Sequence, residues 1–107
     1  KTIPFAFMGI EALYKANYTQ PPAVEYRLMC EDTLICPADM LEEQVLDYIF
    51  SRYSGKLPEH YHGRSLAPSD VVELYDQGKR SYFYRDKGNF VPVNFSPFFA
   101  KPMKEMN

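Results

Sequence analysis

Hydrophobic and polar residues alternate in two short segments of the N-terminal third. Residues 24–30 place an apolar or thiol side chain at every second position, which predicts a strand that buries one face. Residues 3–7 show the same period and predict a short opening strand, which Pro4 confines to a sheet edge or a strand start. Between them, apolar residues at helical spacing predict a helix over residues 9–18.

Residues 40–54 carry the strongest helical pattern in the chain. Their apolar side chains occupy one broad arc, with polar side chains opposite. Asp39 precedes this run and Glu42 follows three residues later, so we expect Asp39 to cap the helix and Glu42 to reach back to it. Gly55 predicts a left-handed stop. An arc of this width needs a sheet or several elements to cover it.

The last third repeats an Asp-x-Gly turn signal at residues 76–78 and 86–88. Each repeat suits a three-residue hairpin loop, which predicts antiparallel strands over residues 71–75, 79–85 and 90–93. Counting back from the loops pairs Tyr75 with Lys79 and Tyr84 with Phe90. One sheet face would then collect Val72, Leu74, Tyr82, Tyr84 and Phe90.

These elements predict an α+β fold, in which a mainly antiparallel sheet with a C-terminal three-stranded meander packs against the main amphipathic helix. A shorter N-terminal helix completes it. We expect residues 1–95 to form this single domain and residues 96–107 a C-terminal tail. A chain of 107 residues supports one modest core, and its 9 tyrosines and 8 phenylalanines are expected to build that interior.

The charge balance excludes some classes of partner. With 12 basic and 14 acidic residues the formal charge is −2, so bulk electrostatics do not draw the chain onto nucleic acid or an anionic membrane. The apolar runs are far shorter than the roughly 20 residues of a membrane span. We expect a cytoplasmic protein with no membrane partner. A start at Lys1 favours a domain cut from a longer protein.

The side chains that bind metals are few. His60 and His62 alternate in an extended segment and could face one ion, but Cys30 and Cys36 do not complete any usual ligand spacing. We therefore expect no metal site and no cofactor. Both thiols should be reduced, with Cys30 in the core and Cys36 in a loop. Glycine-rich phosphate-binding loops are absent from the sequence.

Basic residues surround the two hairpin turns, interleaved with aromatic residues 82–84. Such interleaving is typical of surfaces that hold single-stranded nucleic acid. The alternative is that the aromatic rings fill the sheet core while the cations protect an exposed sheet edge. Both interpretations stay open for Lys79, Arg80, Arg85 and Lys87.

Residues 63–72, with the sequence GRSLAPSDVV, together with Gly78, Tyr84, Asp86 and Phe90, resemble the YodL-like domain, a small bacterial family of undefined activity. The family pattern has histidine at the position of Arg64 and valine at that of Arg85. The resemblance extends over about residues 34–93. It implies an accessory module of large proteins carried by mobile elements, and it carries over no catalytic residue.

We therefore expect a non-catalytic interaction module, because the helix and sheet use most apolar residues and leave loop surface for function. Loops on a rigid scaffold are where binding sites concentrate. Its partner would be another protein or the flanking domains of a longer chain. The candidate binding surface comprises the two hairpin loops and His60, Tyr61, His62, Arg64 and Ser65. The alternatives are nucleic-acid binding and a small enzyme with a pocket around His62, Asp70 or Asp86.

Overall fold

A computed structural model of the chain describes residues 3–37, 39–59, 61 and 63–102. Within them lie helices α1 (Ile10–Lys15) and α2 (Glu42–Ser54), strands β1 (Val71–Asp76), β2 (Lys79–Arg85) and β3 (Phe90–Val93), and short 3₁₀ helices at Ala23–Glu25 and Pro97–Phe99. The strands form one antiparallel sheet in the order β1-β2-β3. The predicted α+β fold, with its main helix, shorter N-terminal helix and C-terminal meander, is confirmed.

The first hairpin is one residue tighter than predicted. Gln77 and Gly78 form a two-residue loop with φ of 49° and 83°, the signs of a type I′ turn. Asp76 therefore remains in the ladder and pairs with Lys79. The predicted pairing of Lys79 with Tyr75 is wrong, because the twist of a two-residue turn suits the strands that flank it.

The second hairpin is one residue longer than predicted. Arg85 pairs with Phe90, and Tyr84 pairs with the next residue along β3. Four residues connect the strands, and the loop is closed by a hydrogen bond that the Asp86 amide donates to the Asn89 carbonyl at 2.8 Å.

Each loop differs from its predicted length by one residue, and a register shift of one residue moves side chains to the other face of the sheet. The predicted single face is therefore wrong, because the side chains predicted to share it lie on both faces. The face that packs on the N-terminal segment, here the α1 face, carries Val71, Tyr82, Tyr84, Val91 and Val93. The opposite face, here the α2 face, carries Val72, Leu74, Phe83, Arg85 and Phe90. Phe5, Ile10 and Leu13 complete the core around Tyr84. On the α2 face, Phe50 of α2 meets Phe90 edge to face at 6.4 Å.

Helix α2 begins later than predicted and is capped differently. Leu41 is the residue before the first turn, and its amide donates to Gln44 Oε1 at 2.9 Å. Asp39 lies outside the helix, so capping by Asp39 and Glu42 is wrong. Gly55 has φ of −102° and does not provide the expected left-handed stop.

The predicted opening strand is wrong, because residues 3–8 form consecutive turns. The Ala6 amide donates to the Ile3 carbonyl at 3.2 Å, and the Met8 amide donates to the Phe5 carbonyl at 3.0 Å. These bonds fold the chain back on itself, and Phe5 enters the core from a turn.

The predicted strand over residues 24–30 is also wrong. Its start forms the 3₁₀ helix, and a single parallel bridge joins Arg27 to Lys101. Alternation gives a strand only where a neighbouring strand supplies partners, and here that contact extends over one residue. Cys30 is consequently half-buried and not a core thiol, while Cys36 is exposed. Residues 97–99 fold back against residues 23–25.

Aromatic residues are divided between the interior and the surface of the domain. Of those in the described ranges, four are buried: Phe5, Tyr53, Phe83 and Tyr84. Six are exposed: Phe7, Tyr14, Tyr48, Tyr75, Phe98 and Phe99. The other seven are half-buried. The rings therefore build part of the core, as expected, and the domain also presents aromatic surface. No helix in the described part of the chain has the length and hydropathy to cross a membrane.

Candidate functional site

Ser69 joins three distant segments at one buried point. Its amide donates to the Arg85 carbonyl at 3.0 Å, which extends the pairing of β1 with β2 beyond the strand. Its Oγ accepts a hydrogen bond from the Phe7 amide at 3.0 Å, and its carbonyl accepts one from Tyr26 Oη at 2.7 Å. Ser69 has φ of 81°, an unusual conformation for a residue with a side chain. Burial raises the pKa of Tyr26, since the phenolate would be poorly solvated there.

Phe7 is held in a strained conformation and displayed to solvent. Its φ is 62°, in the left-handed region that bulky residues avoid. The side chain is 60% exposed, and that of the adjacent Met8 is 51% exposed. Tyr84 fixes this turn from the core, because its Oη donates to the Met8 carbonyl at 3.0 Å.

The second hairpin loop supports the same turn. The Asp86 carboxylate accepts a hydrogen bond from the Ile10 amide at 3.0 Å, at the start of α1. A side chain at Gly9 would collide with that carboxylate and crowd Lys87. Gly9 thus permits the close approach that brings this hairpin loop beside Met8.

Arg64 connects the predicted binding loop to Phe7. Its guanidinium forms a bidentate pair with Asp70, at 2.8 Å from Nη1 and 2.6 Å from Nη2. The same guanidinium lies over the Phe7 ring, 4.6 Å from the ring centroid. The hydrogen bonds to Asp70 raise the pKa of Arg64. Asp70 also accepts a hydrogen bond from the Ala67 amide at 2.9 Å, so its carboxylate satisfies a turn N–H group.

The structure describes only some of the other residues of the predicted binding loop. Tyr61 packs edge to face on Tyr53, with 5.2 Å between ring centroids, and its Oη donates to the Arg64 carbonyl at 2.7 Å. The exposed Ser65 offers its carbonyl to Arg64 Nη1 at 3.0 Å. His60 and His62, which belong to the same prediction, lie outside the described residues.

The four basic residues of the nucleic-acid alternative do not form one surface. Lys79 and Arg80 lie at the first hairpin, whereas Arg85 lies at the other end of β2. Given the rise and alternation of a strand, Arg85 is about 17 Å from Arg80 and on the opposite face. Arg85 is 8% exposed, and exposed Lys87 lies in the second loop. Arg80 is already engaged by Glu73 at 2.6 Å.

A polar cluster lies beneath the loop around Tyr53. Tyr53 Oη donates to Asp32 Oδ2 at 2.7 Å, and the Cys30 thiol donates to Tyr53 Oη at 3.6 Å. Burial, followed by the hydrogen bond with Asp32, raises the pKa of Tyr53. Among the residues described, nowhere do three His, Cys, Asp or Glu side chains converge as metal ligands would.

Sequence reasoning missed Phe7 and Met8 and assigned no contact to Ser69. The alternation over residues 3–7 suggested a strand, and local sequence gives no signal for a phenylalanine at positive φ, since that conformation favours glycine and asparagine. The only available signal was the Ser69-Asp70 pair within the recognised motif.

The fold and these contacts define a small α+β domain in which the recognised motif is structural. Ser69 and Asp70 position an N-terminal turn and an arginine, and the surface that they support carries Phe7, Met8 and Arg64. The chain belongs to the YodL-like domain family, whose model matches residues 1–95. No curated protein and no solved structure matches it.

Proposed function

We propose that this domain is a non-catalytic protein-interaction module that binds its partner through the Phe7 surface, defined as Phe7, Met8 and Arg64. The observation that carries the proposal is the conformation of Phe7. A left-handed φ costs about 1–2 kcal/mol for a residue with a side chain, and the ring gains little burial in return. Backbone strain of this kind concentrates at functional positions.

The chemistry of the Phe7 surface suits a protein partner. Aromatic residues, methionine and arginine are enriched at the centres of protein interfaces. Asp70 holds the Arg64 guanidinium in place over the Phe7 ring. A side chain that is already ordered loses less conformational entropy on binding.

The polar side chains around this surface are already engaged in hydrogen bonds within the domain, which supports a non-catalytic role. Asp70 is engaged by Arg64, Asp86 by the start of α1, and Tyr84 by the Met8 carbonyl. Burial, with smaller effects from Asp86 and Asp70, raises the pKa of Tyr84 to about 12. A tyrosine with that pKa is a weak acid–base catalyst near neutral pH.

The domain offers a matched control for the Phe7 surface. Tyr75 is 59% exposed, carries Arg80 over its ring at 4.3 Å, and Arg80 pairs with Glu73. This group repeats the aromatic, arginine and carboxylate chemistry in ordinary strand geometry. Tyr75 lies about 17 Å along the chain from Asp70 at the strand rise.

The test begins with a photo-crosslinking amino acid at position 8, and at position 75 as control, in the native host. The protein crosslinked at position 8 is identified and purified, and its affinity for the domain is measured by titration calorimetry. We expect Phe7→Ala and Arg64→Lys to weaken binding by about tenfold or more, as at interface hot spots, and Tyr75→Ala to change it little. Equal affinities for all three variants would refute the proposal.

We further propose that the module works in the bacterial cytoplasm as part of a larger mobile-element protein. The support is the resemblance of residues 63–72 to a family found in such proteins. The sequence of the natural full-length protein tests this proposal. Attached relaxase-like, helicase-like or methyltransferase-like domains are expected, and an export signal would contradict it.

A further inference from the structure

Arg85, the last residue of β2, is an unusual cation of this domain. It is 8% exposed and lies on the α2 face. Its Cζ lies 3.8 Å from the ring centroid of Phe50 in α2 and 5.0 Å from that of Phe90 in β3. Two aromatic rings therefore enclose the guanidinium.

The other arginines that stack on rings in the described residues each have a carboxylate partner. Arg52 pairs with Asp32 at 3.5 Å, Arg64 with Asp70 at 2.6 Å, and Arg80 with Glu73 at 2.6 Å. Arg85 is more buried than these three and forms no ion pair with any described residue. Its Nε is shielded from solvent and has no hydrogen-bond partner.

The carboxylates that adjoin Arg85, along the chain or through a backbone hydrogen bond, are already engaged. Asp70, whose carbonyl accepts the Arg85 amide at 2.8 Å, directs its carboxylate to Arg64. Asp86 directs its carboxylate to the Ile10 amide. A buried guanidinium that lacks hydrogen-bonded anionic partners is destabilising, and cation–π contacts leave its N–H groups unsatisfied.

We propose that Arg85 is the receptor of an oxyanion site, which takes the carboxylate or phosphate group of a ligand. Guanidinium binds both groups through paired hydrogen bonds. Phe50 and Phe90 hold its plane in a fixed orientation, and the Nη end is the part that a ligand reaches, since Nε is shielded. The Arg85 side chain is not part of the Phe7 surface, and separate observations support this site.

The test compares the melting temperature of the full chain in sodium phosphate, sodium acetate and sodium chloride at equal ionic strength. Arg85→Met removes the charge, and Arg80→Met is the control, since Arg80 lies on the same strand and stacks on a ring but already has Glu73. We expect phosphate or acetate to raise the melting temperature of the wild type and of Arg80→Met above the value in chloride. The rise should be smaller for Arg85→Met, which keeps only the general stabilisation that such salts give proteins.

The comparison with Arg85→Met separates binding from this general stabilisation, and Arg80→Met shows whether the loss of any arginine has the same effect. A rise in acetate alone would identify a carboxylate ligand, and a rise in phosphate alone a phosphate ligand. Equal responses of wild type and Arg85→Met, or no response of either, would overturn the proposal. Should Arg85→Met not fold, the Arg85 Nε–Hε resonance of the wild type is followed during the same titrations. A saturable shift confined to Arg85 is expected, and an unchanged resonance refutes the site.

Discussion

The Phe7 amide donates a hydrogen bond to Ser69 Oγ at 3.0 Å across a sequence separation of 62 residues, and both residues have positive φ. Two unfavourable backbone conformations thus support each other where the N-terminal turn meets the entrance to β1. Ser69 is anchored by Arg85 and Tyr26, so the strain at Phe7 is maintained from the core. The surface that we propose for binding depends on this contact.

Ser69→Ala should lower the free energy of unfolding by about 1–3 kcal/mol, because it leaves the part-buried Phe7 amide without an acceptor. Urea denaturation followed by circular dichroism measures the change. Ser51→Ala, at an exposed position of α2, is the control and should have little effect. An unchanged midpoint for Ser69→Ala would show that the Phe7 bond does not stabilise the fold.

Tyr84 should make the domain sensitive to alkaline pH. Burial raises its pKa to about 12 in the folded state, against an ordinary value of 10.0. A raised pKa of an acid contributes stability that is fully present below pH 10 and is lost as the pH rises through the folded value. The loss between pH 10 and 12 should be about 2 kcal/mol.

Tyr84→Phe tests this dependence directly. It removes the ionisable group and the hydrogen bond to the Met8 carbonyl, so the variant starts less stable at neutral pH. Its free energy of unfolding should then fall less steeply than that of the wild type between pH 10 and 12. Parallel pH profiles would assign the alkaline loss to other groups.

Single-stranded oligonucleotides should bind weakly. Affinity for nucleic acid depends on several cations that contact phosphates together, whereas Arg80 and Arg85 occupy opposite faces of β2 and Arg80 is paired with Glu73. A fluorescence anisotropy titration at low salt should show no saturable binding at tens of micromolar protein. Saturable binding that Lys79→Glu and Lys87→Glu both abolish would restore the nucleic-acid alternative.

The elements with strong local signals were predictable. The apolar arc of α2 and the repeated Asp-x-Gly turns gave the helix and three strands within one or two residues. The register was not predictable, because a segment such as residues 76–78 permits either a two-residue or a three-residue loop. The strand prediction for residues 24–30 was wrong for a related reason, because alternation does not reveal whether a partner strand exists.

The candidate site was likewise predictable from the sequence only in part. Arg64 was identified as a binding residue, and it stands with Asp70 in a recognisable motif. Phe7 was not, because its conformation is set by Ser69, far away in the chain, and by packing that no local pattern encodes. Arg85 was assigned to a basic surface, and only the register shows that it is buried.

We infer that the fold holds Phe7 in a backbone conformation that lowers the stability of the domain. The most direct test compares Phe7→Gly with Phe7→Ala, since both remove the ring and differ in their tolerance of positive φ. We expect the glycine variant to be more stable than the alanine variant by about 1 kcal/mol in urea denaturation. An alanine variant as stable as the glycine variant, or more stable, would contradict it.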